Sequence, residues 1–177
     1  MSLITVLLGL GSNVQRDSHL TAGLDALAEL LVDMRCSPVV ESVAVGYHGD
    51  NFYNLVVAGQ TDLPLMELDR RLKFIEAENG RYAPERKGLP LDIDVLLYGD
   101  LAGNFHGLEL PRPEILRNAF VLWPLALLVP GVRHPLRGET FADLWQHARI
   151  QQQLWPVPFA WRGLDLTPAE LIARYPR

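Results

Sequence analysis

The sequence predicts an α+β sandwich with the order strand, helix, strand, strand, helix, strand, and three features carry that reading. Apolar residues recur at helical spacing in two stretches, Leu20, Leu24, Leu27 and Leu31, then Leu65, Leu68, Leu72 and Ile75. Runs rich in Val, Ile and aromatic residues, bounded by Gly, Asn and Pro, read as strands around them. The 177 residues fit one domain, and an apolar content of 49% suffices for a full core.

The first strand runs from Leu3 to Leu10 and closes at Gly9-Leu10-Gly11-Ser12-Asn13. These glycines would let a phosphate approach the backbone, but the stretch is neither the dinucleotide fingerprint nor a P-loop. Asp17 or Ser18 is placed to cap the first helix. Pro38 to Val45 reads as a strand, Gly46 to Asn51 as a long connection, and Phe52 to Gly59 as the returning strand of a hairpin. Thr61 or Asp62 caps the second helix, with Pro64 in its first turn and Asn79-Gly80 as its stop. A loop from Tyr82 to Pro90, broken by Pro84, Gly88 and Pro90, delivers the chain to the strand Leu91–Gly99. This is the ferredoxin-like β-α-β-β-α-β plan, with helices on one face of a mostly antiparallel sheet.

A C-terminal helical extension follows. A short strand pair is expected after Asp100, then a turn or short helix at Leu110–Glu114. Asn118 to Leu128 reads as a packed helix broken near Pro124, and Phe141 to Gln153 as a surface helix. Trp155 to Trp161 reads as an irregular apolar segment, and Thr167 as the cap of a last helix with Pro168 at its first position. Residues 1–150 are read as one domain, and 151–177 as an extension packed on it or at a subunit contact.

A net charge of −5 argues against an electrostatic nucleic-acid binder. The lone Cys36 cannot form an internal disulfide and reads as a buried structural thiol, which fits a reducing cytoplasm. No apolar run reaches the roughly 18 residues of a membrane span, and the start lacks the basic region of a signal peptide.

Asp92 and Asp94 alternate with Leu91, Ile93, Val95 and Leu97. Side chains two apart on a strand share a face, roughly 6–7 Å apart. Two carboxylates that close need either a cation between them or open water. A hard divalent cation such as Mg²⁺ satisfies the first condition, and a solvent-exposed sheet edge the second.

Four segments resemble hydroxymethyldihydropterin pyrophosphokinases: Leu10-Gly11-Ser12-Asn13; Phe52-Tyr53-Asn54; Glu76 to Arg81 leading to Leu91-Asp92-Ile93-Asp94-Val95; and Leu110-Pro111 followed by Ala119 to Leu125. They occur in the family's order over roughly residues 3–148. The resemblance implies pyrophosphate transfer from ATP to the hydroxymethyl group of a reduced pterin, leaving AMP. It implies that Asp92 and Asp94 hold two Mg²⁺ ions on the triphosphate, with Arg81 and Arg112 sharing in catalysis. It implies a pterin site of Asn54 and Phe120 with Phe52 or Tyr53, and an ATP site of Lys73, Glu76, Arg81, Arg86, Arg112 and Arg117. No nucleic acid or membrane partner is expected, while the Trp-rich tail would suit a subunit contact.

The chain departs from the family pattern at three cationic positions. Leu89 stands for an arginine three residues before Asp92, Arg112 for a histidine, and Asn118 for an arginine. The alternative reading is a diverged paralogue that binds a pterin with weak or no transfer.

Overall fold

A computed structural model describes residues 2–44 and 49–177. The expected connection Gly46–Asn51 and the end of the strand expected over Pro38–Val45 fall partly outside the described residues. The chain runs β1 Ile4–Ser12, α1 Arg16–Leu30, β2 Val32–Cys36, β3 Val39–Ser42, β4 Phe52–Thr61, α2 Leu65–Glu78 and β5 Asp92–Tyr98. It continues with β6 Gly103–Phe105, β7 Leu108–Leu110, α3 Glu114–Arg117, α4 Ala119–Leu128, α5 Phe141–Gln146, β8 Leu154–Val157, β9 Ala160–Trp161, β10 Leu164–Asp165 and α6 Ala169–Arg174. The main sheet is antiparallel in the order β5-β1-β4-β3-β8, with β2 also paired to β4. This is the expected ferredoxin-like arrangement, with β1 between β5 and β4.

Alternation sorts the sheet's side chains into two cores. Val6, Leu8, Leu10, Leu55, Val57, Ile93 and Val95 pack with Leu20, Leu24 and Leu27 of α1 and Leu68, Leu72 and Ile75 of α2. On the other face Leu7, Val56, Ala58, Leu96 and Leu97 pack with Ile115, Leu122, Leu125 and Phe141. The helical extension therefore covers part of the face that the two repeat helices leave open. Leu97 changes side relative to the simple alternation. Leu7 pairs with Leu97 but Leu8 with Val95, so a bulge inserts Leu96 and turns Leu97 toward the second core.

Several elements differ from their sequence reading. α1 begins at Arg16 behind Gln15, which adopts a left-handed conformation, so neither Asp17 nor Ser18 is its cap. Pro64 occupies the N-cap position of α2 rather than its first turn. β2 is an additional strand. Ser37 joins it to β3, exchanging its N–H and hydroxyl oxygen with the carbonyl and N–H of Val56, each at 2.8 Å. α4 continues through Pro124, because only the N–H partner of the Phe120 carbonyl is lost and the helix lies between the sheet and α5.

α5 stops at Gln146, and Phe141 and Leu144 are buried, so it is neither long nor a purely surface helix. The Trp155 segment is partly regular, since Leu154–Val157 forms edge strand β8 on β3. An edge tolerates Pro156 because the missing N–H faces no second strand. Thr167 is no helix cap. Its hydroxyl oxygen accepts the Val39 N–H at 3.0 Å and fixes the tail to the buried end of β3. Trp161 Nε1 and Arg162 Nε both donate to Asp25 Oδ1 of α1, at 3.0 and 3.1 Å. Burial pushes the Cys36 thiol up to about 11, as befits a structural cysteine.

Thr167→Val keeps the side-chain shape but leaves the buried Val39 N–H without its acceptor. Urea unfolding is expected to show a loss of about 1–3 kcal/mol. An unchanged midpoint would contradict the assigned role of this bond.

Candidate active site

The second face of the sheet is bare of side chains where β1 crosses it, because Gly9 and Gly11 occupy the positions there. Gly11 pairs with Asp92 on one side and Asn54 on the other, and Gly9 pairs with Asp94 and Val56. Carboxylates, glycine floor and amide thus stand in rows across three strands, with neighbouring rungs about 5 Å apart. A Cβ at Gly11 would lie 2.9 Å from Asn54 Oδ1, so glycine is needed for the amide to lean over the floor. Asn54 is held from the far side by donating to Ser42 Oγ at 2.8 Å.

Phe120, at the start of α4, overhangs this floor. With Gly11, Ser42, Val43, Phe52, Asn54, Leu89 and Asp92 it encloses a cavity of about 130 Å³. An adjoining cavity adds Gly9, Asp94 and Glu114 and shares Gly11, Asn54, Asp92 and Phe120. An apolar slot with one amide at its side therefore runs into the carboxylate pair. Phe52 and Asn54 share the slot because they are two apart on β4. Tyr53 consequently faces the opposite way, with the Arg16 guanidinium 3.8 Å from its ring centre. Of the two aromatic candidates, the structure brings only Phe52 to Asn54 and Phe120.

Each aspartate meets an arginine. Arg81 Nη1 donates to Asp92 Oδ1 at 2.9 Å and to the Leu91 carbonyl at 3.2 Å. Arg112 Nη2 donates to Asp94 Oδ1 at 2.5 Å. Arg112 Nε lies 3.2 Å from Glu114 Oε2, close enough for charge attraction, yet it is poorly aligned and makes no hydrogen bond. Glu76 is buried and uses both oxygens. One accepts the Ile93 N–H at 2.8 Å and the other the Tyr82 hydroxyl at 2.7 Å, which braces the backbone between the two aspartates. Burial raises the Glu76 carboxyl above its ordinary value. Asp94 is pushed up to about 7, by burial first and by the charge of Asp92 second, against the opposing pull of Arg112.

Among the described residues no group of three or more His, Cys, Asp and Glu is placed to hold a metal ion. A pair of carboxylates nevertheless fits Mg²⁺, which takes one or two carboxylates and completes its shell with water and substrate phosphates. A cation between Asp92 and Asp94 would also relieve the repulsion that raises Asp94.

The other basic candidates are not brought to the pair. Lys73 is exposed on α2 and bonded to Asp69 at 2.9 Å, one turn away. Arg86 turns back on the Gly88 carbonyl of its own loop. Arg117 is exposed at the end of α3 and lines a separate cavity of about 380 Å³ with His134 and Leu136. Asn118 is engaged with Gln152 rather than with the site.

Sequence reasoning missed Ser42, Val43 and Leu89 as walls of the slot. Leu89 is buried, and its loop is fastened at both backbone groups: Asn13 N–H donates to the Leu89 carbonyl at 3.1 Å, and Leu89 N–H donates to Asn13 Oδ1 at 2.6 Å. The Gly-Ser-Asn turn was a visible signal, but its partner 76 residues away was not. A wider, open cavity of about 610 Å³ lies beside Arg16 and Tyr53. Asp17, Glu41 and Asp50 outnumber Arg16 along it, so it does not suit a phosphate ligand.

The sequence pattern of the family described as 7,8-dihydro-6-hydroxymethylpterin-pyrophosphokinase (HPPK) matches residues 7–130. The chain is similar to an Aquifex aeolicus protein named 2-amino-4-hydroxy-6-hydroxymethyldihydropteridine pyrophosphokinase, at 37% identity over 137 residues, covering 76% of this chain and 86% of that one. A Pseudomonas aeruginosa protein of the same name is 37% identical over 136 residues, covering 73% and 83%. Among solved structures, wild-type Plasmodium falciparum HPPK-DHPS with pterin and p-hydroxybenzoate has a similar fold. The TM-score is 0.67 at 15% identity, over 82% of this chain and 42% of that one. The present chain thus spans less than half of that solved protein.

The raised Asp94 carboxyl fixes a sign. Between the ordinary aspartate value near 4 and about 7 the folded state holds a proton that the unfolded state has released. Without a divalent cation, stability is therefore expected to fall as pH rises through this window. Mg²⁺ held by the ionised pair would flatten that slope. Thermal unfolding at several pH values, with and without Mg²⁺, checks this, and identical slopes would argue against a cation at the pair.

Proposed function

Since the chain belongs to the 7,8-dihydro-6-hydroxymethylpterin-pyrophosphokinase family, we propose that the Asp92–Asp94 site carries that family's reaction, pyrophosphate transfer from ATP to the hydroxymethyl group of 6-hydroxymethyl-7,8-dihydropterin. The product pair is AMP and the pterin diphosphate, an intermediate of folate biosynthesis. One observation supports the reading most strongly: an apolar slot opens directly onto two arginine-paired carboxylates.

In this reading Phe52 and Phe120 sandwich the flat pterin, and Asn54 hydrogen-bonds its polar edge. Leu89 and Val43 exclude water from the ring. The hydroxymethyl group then points along the floor made by Gly9 and Gly11 toward Asp92 and Asp94. Asp92 and Asp94 would hold Mg²⁺, in the family expectation two ions, and the metal would supply charge neutralisation of the triphosphate. Arg81 and Arg112, which pair with the carboxylates when no cation is present, turn to the phosphate oxygens once those carboxylates are engaged. Arg112 takes up a bidentate clamp for which its planar fork is suited. Glu76 touches no substrate and acts by holding the Ile93 backbone.

An AMP-release assay with the reduced pterin, ATP and Mg²⁺ tests the reading. The wild-type chain is expected to release AMP in proportion to both substrates. Calorimetric pterin binding without AMP release would replace it with a pure binding protein. Asp92→Ala and Asp94→Ala are each expected to lower turnover by about two orders of magnitude or more, the scale of a lost cation position. Arg112→Ala is expected to raise the KM for ATP well beyond that for the pterin, and equal changes would refute its place on the triphosphate.

A further inference from the structure

Two walls of the slot come from parts of the chain far apart in sequence, the end of β3 and the start of α4. Neither is self-supporting. α4 has no side-chain cap from its own N-cap residue, Asn118. Ala119, its first residue, is buried, so its N–H needs an acceptor that water does not supply. Gln152 provides it. Its Oε1 accepts the Ala119 N–H at 2.7 Å, and its Nε2 donates to Asn118 Oδ1 at 3.0 Å. The next residue reaches the opposite wall, where the Gln153 carbonyl accepts the Val43 N–H at 3.1 Å. β8 then pairs along β3, with Leu154 opposite Ser42. Phe120 directly follows the capped residue, and Ser42 and Val43 line the same cavity. Residues 152–154 therefore bridge the slot from outside.

We propose that Gln152 is a positioning residue that caps α4 from the C-terminal segment and sets the spacing between Phe120 and the Ser42–Val43 wall. It touches no ligand. The consequence for affinity rests on the pterin reading of the slot. ATP, bound through Asp92, Asp94 and the arginines, does not depend on that spacing.

Gln152→Ala is the direct test, with Gln152→Glu as the conservative variant. Glutamate keeps an acceptor for the Ala119 N–H and places a negative charge at a helix N-terminus, which is favourable. In Gln152→Ala, calorimetry with 6-hydroxymethyl-7,8-dihydropterin is expected to show binding weakened about three- to tenfold, the scale of a lost cap. The KM for ATP is expected to change less than about twofold, and Gln152→Glu to recover most of the pterin affinity. Unchanged pterin affinity, equal loss for both substrates, or a glutamate variant no better than alanine would overturn the proposal. Amide hydrogen exchange separates this from the reading of the slot. If the wild-type protein binds no pterin, the functional reading fails, and the Ala119 and Val43 amides still decide. Faster exchange at both in Gln152→Ala supports the bridge, and unchanged exchange refutes it.

Discussion

Two carboxylates on one face of β5, two residues apart, impose the condition that organises the site. Like charges this close raise each other's energy unless positive charge or water relieves them. Arg81 supplies positive charge to Asp92 and Arg112 to Asp94. The two guanidiniums come from different elements, the loop after α2 and the segment before α3, so the charge pair draws both against the end of the sheet. Glu76 completes the arrangement from beneath, fixing the Ile93 N–H so that the strand presents both aspartates in register.

The glycines of β1 are the counterpart of that charge. A sheet face normally carries a side chain at every second residue, and a face that did so here would fill the slot. Gly9 and Gly11 remove two of them, and the row from Asp92 through Gly11 to Asn54 becomes continuous. The bulge at Leu7 and Leu8 marks where this open half ends. Beyond it Leu96 and Leu97 both turn to the second core, and α4 closes over them. One strand thus serves chemistry at one end and packing at the other.

The local parts of this design were legible. Leu20, Leu24, Leu27 and Leu31 announce a helix by spacing alone, and the alternation around Asp92 and Asp94 places both on one face. What the sequence hid depends on pairing across distance. Phe52 and Tyr53 are equivalent neighbours until the register of Gly11 with Asn54 decides which faces the floor. Leu89 looks like a lost arginine, but it is a buried wall whose loop is tied to Asn13. β8 carries Pro156, is followed at once by Pro158 and reads as irregular, yet an edge position accepts it. Lys73, Arg86 and Arg117 have the right charge, and only the fold reveals that they point elsewhere. Helix capping hides for the same reason: Thr167, read as a cap, bonds to β3, and the acceptor for the first N–H of α4 comes from Gln152.

The arginine–aspartate pairing also shapes how a charged ligand approaches. Along the slot, with both aspartates ionised, Asp92, Asp94 and Glu114 outnumber Arg81 and Arg112 among the described residues. The surplus is negative, as is the chain as a whole. A polyphosphate drifting in alone meets a field of its own sign, so encounter is slowed rather than steered. One that arrives already wrapped around a metal ion carries much of its charge neutralised and presents a cation to the carboxylates first. A polyphosphate that brings its own cation would therefore meet less repulsion at the slot's mouth than a bare one.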